Sequence, residues 1–346
     1  MSSSNTTPTT AAVTSAVEET TFEEALDLTK DIERDLLLGN GFSIAAHGGF
    51  NYARLLERAS VPDEVRHIFA TARTTNFEAV MRILLAEATG MGGQHAAEAN
   101  RKIDALKKAL VRSIHEVHPA RRNLIPAPRW DRCEQFLENF IGKKRGGRIF
   151  TTNYDLLLSW AVAPDRDRIM PEKRFRAYEG FRGGTYDAVG SATIIYLHGA
   201  LHLYASASHE KQFQYRLAGV ALHDLIAEHL NAGRLPIIVT EGASTLKQPR
   251  LPGFLKDALA AFRGTSRSSH KKALFTLGHG LGPEDAHLLD LIPTGTIQTV
   301  CLGAFRRSEM DDFHKIATGW VSEREMKGGP PLKVYIFDSD GVVWGP

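Results

Sequence analysis

Cysteine is scarce: Cys133 and Cys301 are the only two in 346 residues. Two isolated cysteines make neither a disulfide framework nor a four-cysteine zinc ribbon. They fit a reducing compartment, as small core residues. Long apolar runs are missing too, and no stretch holds the roughly 20 continuous apolar residues that a bilayer span needs. Neither sign of charge dominates, since 42 Lys and Arg face 40 Asp and Glu for a net charge of +2. That balance gives no argument for nucleic-acid binding or for a strongly acidic partner. Met1 to Thr20 contains no Lys or Arg and no apolar segment, so it lacks the parts of a signal peptide. Rich in Ser, Thr and Ala, residues 1–20 read as a disordered tail. A cytoplasmic protein is expected, with no membrane contact, no direct nucleic-acid contact and no metal.

What is present is the material of one large domain, residues 21–346. Thr21-Phe-Glu-Glu24 has the form of a capping box and predicts a short helix. Asp35-Leu-Leu-Leu38 then runs into Gly-Asn-Gly, which reads as a buried strand entering a tight turn. From about 50 to 145 the spacing is helical, with Phe77, Val80, Met81, Leu84 and Leu85 on one face and Ile103, Leu106, Leu110 and Ile114 on another. Strand-like runs resume at Arg148–Phe150, Thr193–Leu197, Leu235–Thr240, Ala273–Leu277, Thr296–Leu302 and Lys333–Phe337. Helical stretches separate several of them. The fold expected is α/β: a Rossmann-like, mostly parallel sheet with helices on both faces and a helical insertion after the first strand. Asp165 to Gly190 reads as a long functional loop.

Four polar, turn-prone clusters each follow an apolar run, at the strand ends where open α/β sheets bind ligands. Gly39-Asn-Gly-Phe-Ser43 fits a phosphate loop, although Ile44 stands where a dinucleotide fingerprint has its third glycine. A strand-to-helix turn needing glycine for steric reasons is an equal reading. Thr151-Thr-Asn-Tyr-Asp155 sets an amide and a carboxylate two residues apart, suited to a ribose hydroxyl or an attacking water, or to capping the next helix. Tyr196-Leu-His-Gly199 ends a strand on a histidine, either a general base or a satisfied turn residue. Phe275-Thr-Leu-Gly-His-Gly-Leu-Gly282, followed by Asp285 and His287, repeats the strand-then-glycine design. Glu241 follows another apolar run and reads equally as a helix cap or a substrate contact.

Two motifs mislead. Val334-Tyr-Ile-Phe-Asp-Ser-Asp-Gly341 looks like the aspartyl nucleophile of a phosphatase fold, but only five residues follow it, so it reads as a terminal strand and turn. His115-Glu-Val-His118 has helical spacing but no third ligand, and reads as a solvated helix face.

Taken together, the four clusters resemble the sirtuin-like superfamily. Gly39–Ser43 is similar to its Gly-Ala-Gly-x-Ser loop and Thr151–Asp155 to its Thr-x-Asn-x-Asp strand end. Leu197-His-Gly199 is similar to its Leu-His-Gly, and Gly278–Leu281 to its Gly-Thr-Ser-Leu loop, with Asp285 and His287 matching the Asp-x-His of bacterial branches. Asn40 stands in place of Ala and Gly280 in place of Ser. The resemblance is greatest to bacterial sirtuin-like proteins of anti-phage defence, which hydrolyse NAD.

The resemblance implies NAD as substrate and a site assembled from these clusters. Asn153, His198 and Asp155 would carry the chemistry. Gly39, Asn40, Gly41, Phe42, Ser43, Thr152, Glu241, Gly278, His279, Asp285 and His287 would hold the nucleotide. It also implies a homo-oligomer and a regulatory ATPase partner. NAD-dependent deacylation or ADP-ribosyl transfer is the alternative, weakened by the missing zinc ribbon. A sensor that binds a nucleotide without cleaving it is the second. A dehydrogenase is disfavoured by the missing third glycine.

Overall fold

A computed structural model describes residues 16–90, 93–142, 146–162, 175, 177–182, 184–187, 190, 192–205, 210–212, 222–238 and 253–345. The described residues form eleven strands. They are β1 (Val17–Thr20), β2 (Glu33–Leu38), β3 (Ile149–Thr151), β4 (Phe181–Arg182), β5 (Thr185–Tyr186), β6 (Ile194–Tyr196), β7 (Leu203–Ala205), β8 (Glu210–Gln212), β9 (Lys272–Leu277), β10 (Thr299–Ala304) and β11 (Lys333–Asp338). Seven form one sheet in the order β1-β11-β10-β9-β2-β3-β6, every pair parallel. Parallel strands covered on both faces are apolar along their length rather than alternating. Leu36, Leu37 and Leu38 are accordingly all fully buried, each contributing about 1.5–3 kcal/mol of transfer free energy.

Helices cover the sheet as the α/β reading requires. Ala127–Ile141 packs on β2, Gly253–Ser266 on β6 and β9, and Arg307–Met326 on β10 and β11. The capping box at Thr21 forms: its hydroxyl accepts the Glu24 N–H at 3.1 Å and the Glu24 carboxylate accepts the Thr21 N–H at 2.9 Å. It starts the helix Phe22–Leu28. The Phe22 ring then meets Phe136, Phe275 and Phe337, joining that helix to the sheet core.

Between β2 and β3 the chain is helical, with Tyr52–Arg58, Asp63–Thr71, Phe77–Gly90, Gly93–Val117 and Ala127–Ile141. This insertion follows the second strand, not the first. Val17–Thr20, expected within the disordered tail, pairs in parallel with Val334–Phe337 as an edge strand. Residues 1–15 of that tail lie outside the described residues. Part of the expected 165–190 loop is also strand: β4 and β5 join β8 and β7 in a small antiparallel sheet. In the expected strand Leu235–Thr240, the described part makes only an isolated bridge from Ile238 to Gly199. His118 does not lie on a solvated face but is 4% exposed, packed between Phe50 and Trp160.

The strand order has one consequence for function. From β2 the chain proceeds to β3 and β6 on one side, while β9, β10 and β11 build the other side. The order therefore reverses between β2 and β9, and a crevice opens at the carboxyl ends of adjacent strands at such a point. Gly39 and Gly278 follow β2 and β9 there.

Candidate active site

The two glycine turns are fastened to each other. The Gly39 N–H donates to Leu277 O at 3.0 Å and the Gly41 N–H to Gly278 O at 2.7 Å. A Cβ on Gly39 would lie 2.5 Å from the His279 Cα, and one on Gly41 would lie 2.6 Å from the Gly278 Cα. These glycines serve close approach, and their amides are already taken by the neighbouring loop. The steric reading of this motif thus explains both of them.

Asn153 and Asp155 converge on Ser43. The Asn153 amide donates to Gly39 O at 3.0 Å and to Ser43 Oγ at 2.9 Å, and Ser43 Oγ in turn donates to Asp155. Asp155 also accepts the Leu157 N–H at 2.8 Å, starting the helix Leu157–Val162. Burial raises the Asp155 carboxyl above its ordinary value, opposed by the Ser43 hydroxyl and the backbone donors. Ser43 is fully buried with its hydroxyl engaged, so it does not face a ligand. Asn153 Oδ1 is different: it is buried and has no hydrogen-bond partner among the described residues.

A cavity of about 160 Å³ lies at the switch point. Gly39, Asn40, Thr152, Asn153, Asp155, Gly278, His279 and Asp285 line it, together with Gly280, Gly282 and Glu284. Phe50, Tyr52, Leu55, Leu110 and Ile114 give it an apolar wall drawn from the helical insertion. Engineered apolar cavities of roughly 150 Å³ take up benzene, so this space fits one six-membered aromatic ring. Gly41, Phe42, Ser43, His198 and His287 lie outside its lining. Phe42 is buried against Trp344, whose indole N–H donates to Phe42 O at 2.8 Å. The Asn40 amide donates to Phe50 O at 3.1 Å and ties the glycine turn to the insertion. Glu241 lies outside the described residues.

Behind one wall the histidines and carboxylates form a chain. His198 Nε2 is 3.3 Å from Asp285 Oδ1, and His279 Nε2 is 3.0 Å from Asp285 Oδ2. His279 Nδ1 accepts the Leu281 N–H at 3.1 Å, which fixes the loop conformation and places its proton on Nε2. The His287 ring stacks on His198 at 5.6 Å between centroids. Burial would raise the Asp285 carboxyl, but His198, His279 and His287 outweigh it and hold the group below the usual carboxylate range. Burial, then His198, lowers His287 to about 4. His198, Asp285 and His287 bring one ligand-type atom each within 4.8 Å of one another. Asp285 lies between His198 and His279, and charge pairing draws these three groups together.

Glu78 is the residue that sequence reasoning missed. It is 7% exposed, lines the cavity, and its Oε1 accepts the Tyr154 hydroxyl at 2.9 Å while lying 3.9 Å from His198 Nδ1. Burial, then the Asp285 charge, pushes its carboxyl up to about 8. The available signal was a glutamate with Met81 and Leu85 three and seven residues on, inside an apolar helix stripe.

The family model described as "Domain of unknown function (DUF4917)" matches residues 36–344. The chain belongs to this family. Among solved structures, one of a Sir2 mutant with a p53 peptide and NAD is similar at 15% identity, over 94% of this chain and 94% of that chain, with a TM-score of 0.40. No curated protein matches the chain. Among the described residues, no helix is long and apolar enough to cross a membrane.

Proposed function

We propose that this DUF4917 chain is an NAD+ hydrolase that releases nicotinamide and ADP-ribose, acting in bacterial anti-phage defence. The observation that carries the reading is Asn153. Its amide is held by Gly39 and Ser43, and its Oδ1 is a buried acceptor at the cavity wall without a partner among the described residues. Buried acceptors are ordinarily satisfied, so a hydroxyl or a water belongs there. The cavity is sized for a single aromatic ring, and Asn153 Oδ1 would hold a ribose hydroxyl or the attacking water beside it.

Cleavage neutralises the nicotinamide ring and builds positive charge on the ribose. The nearby ionised Asp285 stabilises that charge electrostatically. Asp155 contributes by holding Ser43, and through it Asn153, in place. His198 lies beside the cavity carboxyls rather than on the wall, so its part is to take or supply protons through them. Deacylation is disfavoured, because Cys133 and Cys301 are separate, buried and free and build no zinc ribbon. A homo-oligomer and a regulatory ATPase partner belong to the same proposal, since an unregulated NAD hydrolase would be toxic to its own cell.

The test is nicotinamide release from NAD by the wild type and by Asn153→Ala, followed by chromatography. Release by the wild type and its loss in the variant support the proposal. Full release by a folded Asn153→Ala would sink it. NAD binding without release by the wild type would instead favour the sensor, and acyl-ADP-ribose formed with an acyl-lysine peptide would favour the deacylase.

A further inference from the structure

Glu78 occupies a built position. Asn76 Oδ1 accepts the Glu78 N–H at 2.8 Å and caps the start of Phe77–Gly90, while Asn76 Nδ2 donates to the Glu284 carboxylate at 2.9 Å. The helix start is thereby pinned to the loop that carries Asp285. Glu78 faces the cavity with Tyr154 on one side and His198 Nδ1 on the other. His198 Nε2 faces Asp285. One imidazole therefore stands between two carboxyls, and only the carboxyls line the cavity.

We propose that Glu78 is an acid–base residue of this site, trading a proton with the cavity's occupant, and that His198 couples it to Asp285. The step it serves rests on the reading of the cavity as an NAD-cleaving site. There the water oxygen bonds to the ribose carbon as the carbon–nitrogen bond breaks. The bonding pair goes to the nicotinamide nitrogen and removes its charge. The water proton goes to the Glu78 carboxylate and then to bulk water.

The titratable groups that face Glu78 are Tyr52 and Tyr154, His198, and the carboxylates Asp285 and Glu284. Two carboxyls that flank one imidazole in a buried site do not both ionise readily. Asp285 has the histidine partners and keeps the charge, so Glu78 keeps the proton at neutral pH. A cationic ring entering the cavity favours the Glu78 carboxylate and releases that proton.

Two measurements test this. First, kcat/KM for NAD should rise about tenfold per pH unit below pH 8 and level off above it, because it reports the free enzyme. In Glu78→Gln, kcat should fall about a hundredfold or more with KM little changed, and that limb should flatten. Second, the His198 ring signal can be followed by NMR in ligand-free protein with labelled histidine, assigned with His198→Gln. It should show a step near pH 8 in the wild type. The step should vanish in Glu78→Gln and move to higher pH in Tyr154→Phe, which lacks the donor that favours the carboxylate. A step that persists unchanged in folded Glu78→Gln, or wild-type kcat in that variant, overturns the proposal. If the step follows Glu78 but the wild type leaves NAD intact, the proton coupling stands and the NAD-hydrolase reading falls.

Discussion

The Ser43 hydroxyl donates to the Asp155 carboxylate across 112 positions of chain, and the same oxygen accepts the Asn153 amide at 2.9 Å. All three side chains are buried. The first glycine turn and the Thr-Asn-Tyr-Asp turn are therefore one mechanical unit. Ser43→Ala removes a donor from Asp155 and an acceptor from Asn153, with nothing to replace either. It should cost about 1–3 kcal/mol, read as a lower urea midpoint at pH 7. A wild-type midpoint would mean that the hydroxyl is no structural link.

Two glycines of this site should behave in opposite ways. A Cβ at Gly39 meets the His279 Cα at 2.5 Å and Gly278 O at 2.6 Å, both backbone atoms, while a Cβ at Gly280 meets nothing within 4 Å. Gly39→Ala should separate the two turns and lower the melting temperature clearly. Gly280→Ser should stay within about 0.5 kcal/mol of wild type. Under the proposed function it restores a hydroxyl that the sirtuin-like loop carries, so KM for NAD should fall. An equal loss of stability in both variants would contradict the packing described for the turns.

Trp344 lies close to the end of the chain yet is 1% exposed. Its ring meets Phe42 and Trp130 at 5.2 Å each, and its N–H donates to Phe42 O. Trp344→Ala should cost about 3–5 kcal/mol and loosen the helix that follows Gly39. Thermal melting measures the first effect. Faster hydrogen exchange in residues 40–46 measures the second, and unchanged exchange there would confine Trp344 to general packing.

The parts of the site that were legible in the sequence are local. Leu36–Leu38 before Gly-Asn-Gly, and Ile149–Phe150 before Thr-Thr-Asn-Tyr-Asp, show a buried strand and its turn within ten residues, so fold class and the convergence of strand ends could be read. β1 was hidden because only Val17 of its four residues is buried, and its partner β11 comes from the far end of the chain. Glu78 was hidden for a related reason. Locally it is one charged residue on an apolar helix, and its meaning comes from Tyr154, His198 and Asp285, each far off in sequence. His118 read as solvated because Trp160, which covers it, lies in another helix.

The pH dependence of stability ties these buried groups together. The neutral His118 ring donates from Nδ1 to Pro119 O at 2.8 Å and accepts the Leu156 N–H on Nε2 at 3.1 Å. Burial lowers it to about 3 from an ordinary 6.5, and His287 lies near 4 for the same first cause. Below pH 6.5 the unfolded chain binds protons that the folded chain refuses, so these two histidines remove stability as pH falls toward 3. Glu78 acts in the opposite direction. Its folded value near 8 exceeds its ordinary 4.5, so between those values the folded chain keeps a proton that the unfolded chain releases, and stability falls as pH rises. One such proton is worth up to about 1.4 kcal/mol per pH unit. From 4.5 to 6.5 the two effects oppose each other; below 4.5 only the histidine loss remains of the two, and from 6.5 to 8 only the Glu78 effect does. Urea midpoints taken every half unit should therefore decline for the wild type between pH 6.5 and 8. Glu78→Gln should lose that decline and begin its acid loss more steeply just below 6.5. Parallel profiles for the two proteins would show that Glu78 does not hold its proton in the fold.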